Sequence, residues 1–239
     1  MNSNKPSKFL LTPLLALFAL TARADVPGYT EPYKTITVSA AETGVIKELP
    51  VEEGSVVKQG QILARLDIAQ LNAELEIAKI QADLQRTKVE RLEELARSQR
   101  AAKEELERSR ADLKIRDAEI RKIEAAIETR TMRSPVSGIV TEIKRQPSEA
   151  VSLGSPHVLT VVQIDRLNVN LFLPPIRAEK LRLGGSATLL LGEKSERVPA
   201  IIEFISPVTD AASGTVRVKF VLDNAGAKLR SGITATLAD

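Results

Sequence analysis

Between Gly60 and Pro135 the chain runs for 74 residues without a glycine or a proline, although the 239-residue sequence holds 12 of each. Loss of both helix-breaking residues over such a length points to continuous helix. Within it Leu71, Leu75, Ala78, Ala82, Gln85, Val89, Leu92 and Ala96 follow alternating four- and three-residue steps. Ala102, Leu106, Ser109, Leu113, Arg116, Ile120, Ile123 and Ile127 repeat the pattern, and sustained heptad spacing predicts a coiled coil. Residues 68–130 carry 14 basic and 14 acidic side chains in alternation, the surface of a solvated helix and not a field of one sign. Asp67 with Gln70 three residues on predicts a capping box at the helix start.

The flanks are of a different texture. Short β-like runs, Ile36–Val38 and Val45–Val51, are broken by Gly44, Pro50, Gly54 and Gly60. The same texture resumes after Ser134. At an offset of 94 residues Gly44 meets Gly138, Ile46 meets Val140, Val57 meets Val151 and Gly60 meets Gly154, an internal repeat of about 30 residues. The repeat decides the course of the helix. One straight rod over residues 68–130 would hold the two β halves about 95 Å apart, and neither half could bury its apolar face alone. A reversal near residues 97–101 is therefore expected, giving two antiparallel helices.

Beyond Leu167 the pattern is β again. Residues 167–173 alternate at period two until Pro174-Pro175, residues 176–183 suit a short helix, and further strands are expected over 187–191, 198–205, 215–222 and 233–237. Several short strands at near-regular spacing predict a small antiparallel β-barrel. The fold class expected is mixed α and β: a split β-sandwich carrying an inserted antiparallel coiled-coil hairpin, then the barrel.

Composition closes off most chemistry. There is no cysteine, so disulfides, thiol nucleophiles and thiolate metal sites are excluded. A single histidine, His157, excludes a three-histidine zinc centre, and its place in Ser155-Pro156-His157 suggests a surface turn. Aromatics are 3% of the chain and tryptophan is absent, which argues against a nucleic-acid face despite a pI near 9.1. No catalytic, cofactor or metal residues are assigned. The basic balance has another origin: residues 1–24 read as a cleavable signal peptide, with Lys5 and Lys8, an apolar run from Phe9 to Leu20, and Ala22-Arg23-Ala24 as the cleavage site. Cleavage there removes three basic residues and no acid, leaving a mature chain of zero formal charge.

Three segments carry a family resemblance. Residues 54–63 (GSVVKQGQIL) resemble the first half-motif of a lipoyl domain, and residues 131–140 (TMRSPVSGIV) its second half. Residues 222–233 (LDNAGAKLRSGI) resemble an Asn-x-x-x-x-Leu-x-Pro-Gly-Met barrel segment. In this order they resemble the periplasmic adaptor (membrane fusion) proteins of bacterial tripartite efflux pumps. The resemblance implies a linker at 25–35, lipoyl-like halves at 36–67 and 131–165, a hairpin at 68–130 and a barrel at 166–239. The family's membrane-proximal domain is expected to be absent, since the chain stops at Asp239.

The function implied is non-enzymatic: a periplasmic bridge between an inner-membrane transporter of the resistance-nodulation-division (RND) type and an outer-membrane channel, in a homo-oligomeric ring. An adaptor of an ABC-type exporter and a coiled-coil scaffold without a transport role are the alternatives. No cofactor is implied, because the joint that would bear a lipoyl-lysine is replaced by the helices. At the hairpin tip the family docks its channel through an Arg-x3-Leu-x6-Ser pattern. Arg91 and Leu95 match it, and Ala102 stands at the serine position.

Overall fold

The computed structural model describes residues 27–98 and 102–238. The signal-peptide reading of residues 1–24 lies outside the described residues. Strands β1 (Gly28–Ser39), β2 (Gly44–Glu48), β3 (Val56–Val57) and β4 (Ile62–Leu66) precede two long helices, α1 (Ala69–Arg97) and α2 (Lys103–Thr129). Then come β5 (Thr131–Arg133), β6 (Gly138–Ile143), β7 (Ala150–Val151) and β8 (His157–Leu173). A four-residue helix α3 (Pro175–Ala178) leads to β9 (Ser186–Leu191), β10 (Glu196–Asp210), β11 (Thr215–Asp223) and β12 (Thr234–Leu237).

The internal repeat is visible in the pairing. Gly44 of the first half sits opposite Val151 of the second, and Val57 of the first opposite Gly138 of the second. Each half thus lends its glycine to the other half's valine, a pseudo-two-fold exchange. Gly138 must be glycine there, because a Cβ would stand 2.2 Å from the carbonyl oxygen of Val162. Side chains from both halves, among them Ile46, Leu63, Leu66, Val140, Leu159 and Val161, form one buried core. Alone, each half has too few strands to close it.

A second core lies under β8 to β12. In the order β1-β12-β9-β10-β11-β8 these strands close on themselves through the β1–β8 pairing. Closure leaves that ring of strands without a free edge. Phe220, Leu167, Leu171, Leu189, Ile202 and Leu222 fill its interior. The turn after β11 is held by Asn224, whose Nδ2 donates to the carbonyls of Ile164 (2.7 Å) and Leu229 (3.0 Å) while its Oδ1 accepts the Leu229 amide (2.8 Å). The Asn-x-x-x-x-Leu spacing noted above is this clamp.

The linker expected over residues 25–35 is instead mostly strand. β1 pairs with β8 in two stretches, Thr30–Pro32 against Leu167–Val169 and Lys34–Val38 against Leu159–Gln163. The first stretch serves the closed sheet and the second the repeat core, so both cores are built on the same two strands. Pro32 is tolerated because the register shifts there. Asn168, which is buried, donates from Nδ2 to the carbonyls of Pro32 (3.3 Å) and Tyr33 (3.1 Å) at the bulge, and the Arg166 guanidinium stacks 4.3 Å from the Tyr33 ring.

Two further expectations are corrected. The capping box is not made: Asp67 accepts the Ala69 amide (2.9 Å), Gln70 turns forward to Glu74 (2.8 Å), and Ile68 holds the N-cap position without a side-chain bond. His157 opens β8 opposite Ser39 and contacts Thr160 Oγ1 at 3.1 Å, so it is a strand residue and not a turn residue.

Candidate functional site

The site expected from the sequence is the far end of the helical pair. α1 and α2 run antiparallel: Arg86 Nη2 lies 3.4 Å from Asp117 and Glu93 bonds Arg110 (2.7 Å), so rising numbers on one helix meet falling numbers on the other, while Gln81 bonds Arg116 (3.0 Å) and Gln85 the Ser109 hydroxyl (2.9 Å) across the pair. The reversal falls between Ser98 and Ala102, where the spacing places it; residues 99–101 themselves lie outside the described residues. Ala78, Ala82, Val89 and Leu92 of α1 and Leu106, Ser109 and Ile123 of α2 are buried in the seam. Arg116, expected in that seam, is exposed and reaches across it to Gln81.

At the root the pair is clamped to the β body. β4 and β5 are partners, with Arg65 opposite Thr131, so the two helices leave and rejoin the body side by side. Arg130 Nε lies 3.0 Å from Glu42 and Arg133 Nε lies 2.8 Å from Glu128. The Arg133 hydrogen bond holds the Glu128 carboxyl below its usual range.

Near the tip Val89, Leu92 and Leu106 form a small core with Ala96 and Leu113 against it. Arg110 straddles the two helices, bonding Glu93 with both Nε (3.2 Å) and Nη2 (2.7 Å) and Glu107 with Nη1 (3.1 Å). The Glu93 bond, strengthened by both charges, raises the Arg110 guanidinium above its usual range. This tie was not singled out in the sequence, yet it was findable. With Leu92 and Leu106 taken as seam residues, Glu93 and Arg110 fall on the same flank of the pair.

Arg91 is exposed and, among the described residues, makes no ion pair or hydrogen bond. Leu95 is half-buried, and its carbonyl accepts the Ser98 hydroxyl at 3.0 Å. Ala102 is exposed and caps α2 in an extended conformation without a side-chain bond. With seam positions at Leu92 and Ala96, Arg91 and Leu95 fall on the flank opposite the Glu93–Arg110 tie. The tip therefore presents an uncommitted cation beside a partly covered leucine, groups suited to docking and not to bond chemistry.

Among the described residues no three His, Cys, Asp or Glu side chains gather to hold a metal ion, and no helix is long and apolar enough to cross a membrane. The barrel-sandwich hybrid domain of the RND membrane fusion proteins matches residues 34–163, more than half of the chain. The chain belongs to that family of periplasmic adaptors, which is not a family of enzymes.

Nodulation protein NolF of Rhizobium meliloti (strain 1021) is 27% identical over 223 residues, spanning 87% of this chain and 60% of NolF. The multidrug/solvent efflux pump periplasmic linker protein MepA of Pseudomonas putida is 24% identical over 230 residues, spanning 90% of this chain and 60% of MepA. The chain thus spans about three fifths of the length of these curated relatives. A MacA-MexA chimera carrying the Pseudomonas aeruginosa MexA α-hairpin domain shares the fold with a TM-score of 0.74 at 20% identity, over 89% of this chain and 78% of that one. The membrane fusion protein Spr0693 of Streptococcus pneumoniae R6 does so with a TM-score of 0.68 at 17% identity, over 90% of this chain and all of that one.

Proposed function

We propose that this chain acts in the periplasm as the adaptor of a tripartite efflux pump, joining an inner-membrane transporter of the RND type to an outer-membrane channel. The observation that carries this reading is the rooted helical pair. α1 alone, 29 residues long, gives a reach of about 43 Å away from the β body. Its relatives include efflux pump periplasmic linker proteins. In this reading the chain is exported by its N-terminal segment, the β body faces the transporter, several copies assemble into a ring, and Arg91, Leu95 and Ala102 lie at the channel contact.

Leu95 supplies apolar contact and Arg91 a charge able to pair with a carboxylate or carbonyl on the channel. Ala102 offers no hydroxyl, which removes one potential hydrogen bond worth about 0.5–1.5 kcal/mol. Docking then rests on the other two.

Co-purification of the tagged full chain from its own cells tests the partners. Recovery of a proton-driven polytopic transporter is expected, an ATP-driven one reassigns the pump class, and recovery of none removes the adaptor reading. For the tip, Arg91→Asp with Leu95→Asp is expected to abolish crosslinking to the channel with the circular dichroism of the protein unchanged. Undiminished crosslinking would overturn the tip assignment.

A further inference from the structure

A groove of about 560 Å³ lies on the closed sheet, lined by Leu183, Pro199, Ile201 and Val221 together with Arg166, Glu203 and Asp223. It is outside both cores. Leu167, Ile202 and Leu222 point into the core of the sheet, so alternation along the strands turns Arg166, Ile201, Val221 and Asp223 outward. The turn before β9 builds one wall: Gly184, at φ +76°, donates its amide to the Ile202 carbonyl (2.8 Å), and the Ile202 amide donates to the Gly185 carbonyl (2.9 Å). Leu183 and Ile201 remain 71% and 59% accessible. A concave apolar surface of this size with a few polar groups converging on it is the form of a small-molecule site.

The charges at the groove are of both signs and only partly spent. Glu203 is taken by Lys219, whose Nζ lies 2.5 Å away. Arg166 and Asp223 stand opposite each other on β8 and β11, and cross-strand neighbours are about 5 Å apart. They nevertheless make no ion pair. The Arg166 guanidinium stacks 4.3 Å from the Tyr33 ring, and the Asp223 carboxylate has no partner among the described residues. Stacking occupies the flat face of a guanidinium and leaves its in-plane N–H donors free. With the flanking residues counted, Glu203, Asp223 and Asp165 stand against Arg166, Lys219, Arg182 and Lys34, whose Nζ is 5.8 Å from the same ring. The two signs nearly cancel, so the groove selects neither a simple cation nor a simple anion. What it offers is a donor fork and an acceptor carboxylate side by side at an apolar floor.

We propose that this groove binds one amphiphile with a zwitterionic phosphoethanolamine head. The phosphate accepts hydrogen bonds from the Arg166 guanidinium, the ammonium donates to the Asp223 carboxylate, and the hydrocarbon chain covers Ile201, Leu183 and Val221. Two carbons separate phosphate from ammonium in such a head, a span that suits side chains about 5 Å apart on neighbouring strands. A guanidinium meets a phosphate with two parallel donors, the strongest form of this contact. Covering the apolar floor supplies affinity, and the two charges supply the choice of head. The site depends on the outer face of the closed sheet and on nothing in the adaptor reading.

Calorimetric titration of the full chain with lauroyl lysophosphatidylethanolamine, kept below its micellar concentration, tests the site. Saturable binding of one molecule per chain is expected. Lauroyl lysophosphatidylglycerol, which lacks the ammonium, and dodecylamine, which lacks the phosphate, should each bind about tenfold more weakly, and O-phosphoethanolamine, the head alone, more weakly still. Asp223→Asn should weaken the ethanolamine lipid about tenfold and leave the glycerol lipid unchanged. Arg166→Gln should weaken both lysophospholipids and spare dodecylamine, and Ile201→Ser should weaken all three, with circular dichroism unchanged in each variant. Four results overturn the site: no binding of the ethanolamine lipid, equal binding of all three amphiphiles, binding of O-phosphoethanolamine as tight as that of the lipid, or affinities unmoved by Asp223→Asn and Ile201→Ser.

Discussion

The helical pair and the β body hold themselves together by different means. The β body buries two dense cores and builds both on β1 and β8, so its parts share backbone. The helical pair buries a thin seam, with Val89, Leu92 and Leu106 as the core near its tip among the described residues, supplemented by exposed ion pairs. Exposed pairs of this kind add little to stability, because solvent screens them. Shape in the body follows from closure and apolar burial; shape in the arm follows from helix stiffness and a clamp at one end. A protein that must hold a base still and extend a contact outward needs both kinds of material.

The comparison breaks most visibly in the closed sheet. Phe220→Ala removes a fully buried ring and is expected to cost about 3–5 kcal/mol. Because the two cores share strands, urea unfolding of the whole β body should shift as one transition. Loss of amide protection confined to β9–β12 would show that the shared strands do not couple the cores. In the arm the same kind of change should stay local. Leu106→Ala is expected to cost about 2 kcal/mol, at the low end for leucine because the seam is thin. Hydrogen exchange should quicken in residues 89–113 and remain unchanged in the β body.

The smallest effect expected is a pH response at the β10–β11 turn. Asp210 lies below the usual carboxylate range, chiefly because it accepts the Ser213 amide (2.7 Å), with the Ser213 hydroxyl (2.8 Å) and the Ala212 amide (3.1 Å) adding to it. A depressed carboxyl stabilises the fold in its ionised form. That contribution is complete above the ordinary aspartate value and fades as the pH falls below it towards the depressed value. Amide exchange at Ser213, corrected for the intrinsic pH dependence, should quicken only in that acid window. An unchanged profile would remove the carboxylate from the turn.

What could be read from the sequence was what is written locally or periodically. The breaker-free run gave the helices, the heptads their buried faces, and the 94-residue offset the equivalence of the two halves, while the exchange that sets Gly44 opposite Val151 and Val57 opposite Gly138 came from the structure. The strand at 28–35 was not legible. Its residues include Pro32 and alternate weakly, and its partners lie more than 120 positions away, beyond any local pattern. Asp67 and Gln70 have the right spacing for a capping box, but Gln70 finds Glu74 first. At the tip, sequence gave the positions of Arg91, Leu95 and Ala102 through a family pattern. The Glu93–Arg110 tie beside them needed the heptad register applied to both helices at once.

Gly28 is registered with Ala235, and Thr30 is held through the carbonyl of Arg230 and the amides of Gly232 and Ile233. The first strand of the sheet therefore waits for the last. Until residue 235 is available the ring of strands cannot close, and contacts of such sequence separation are slow to form. For a chain that emerges N-terminus first, this ordering is a timer: the sheet stays open until the segment around residue 235 has followed.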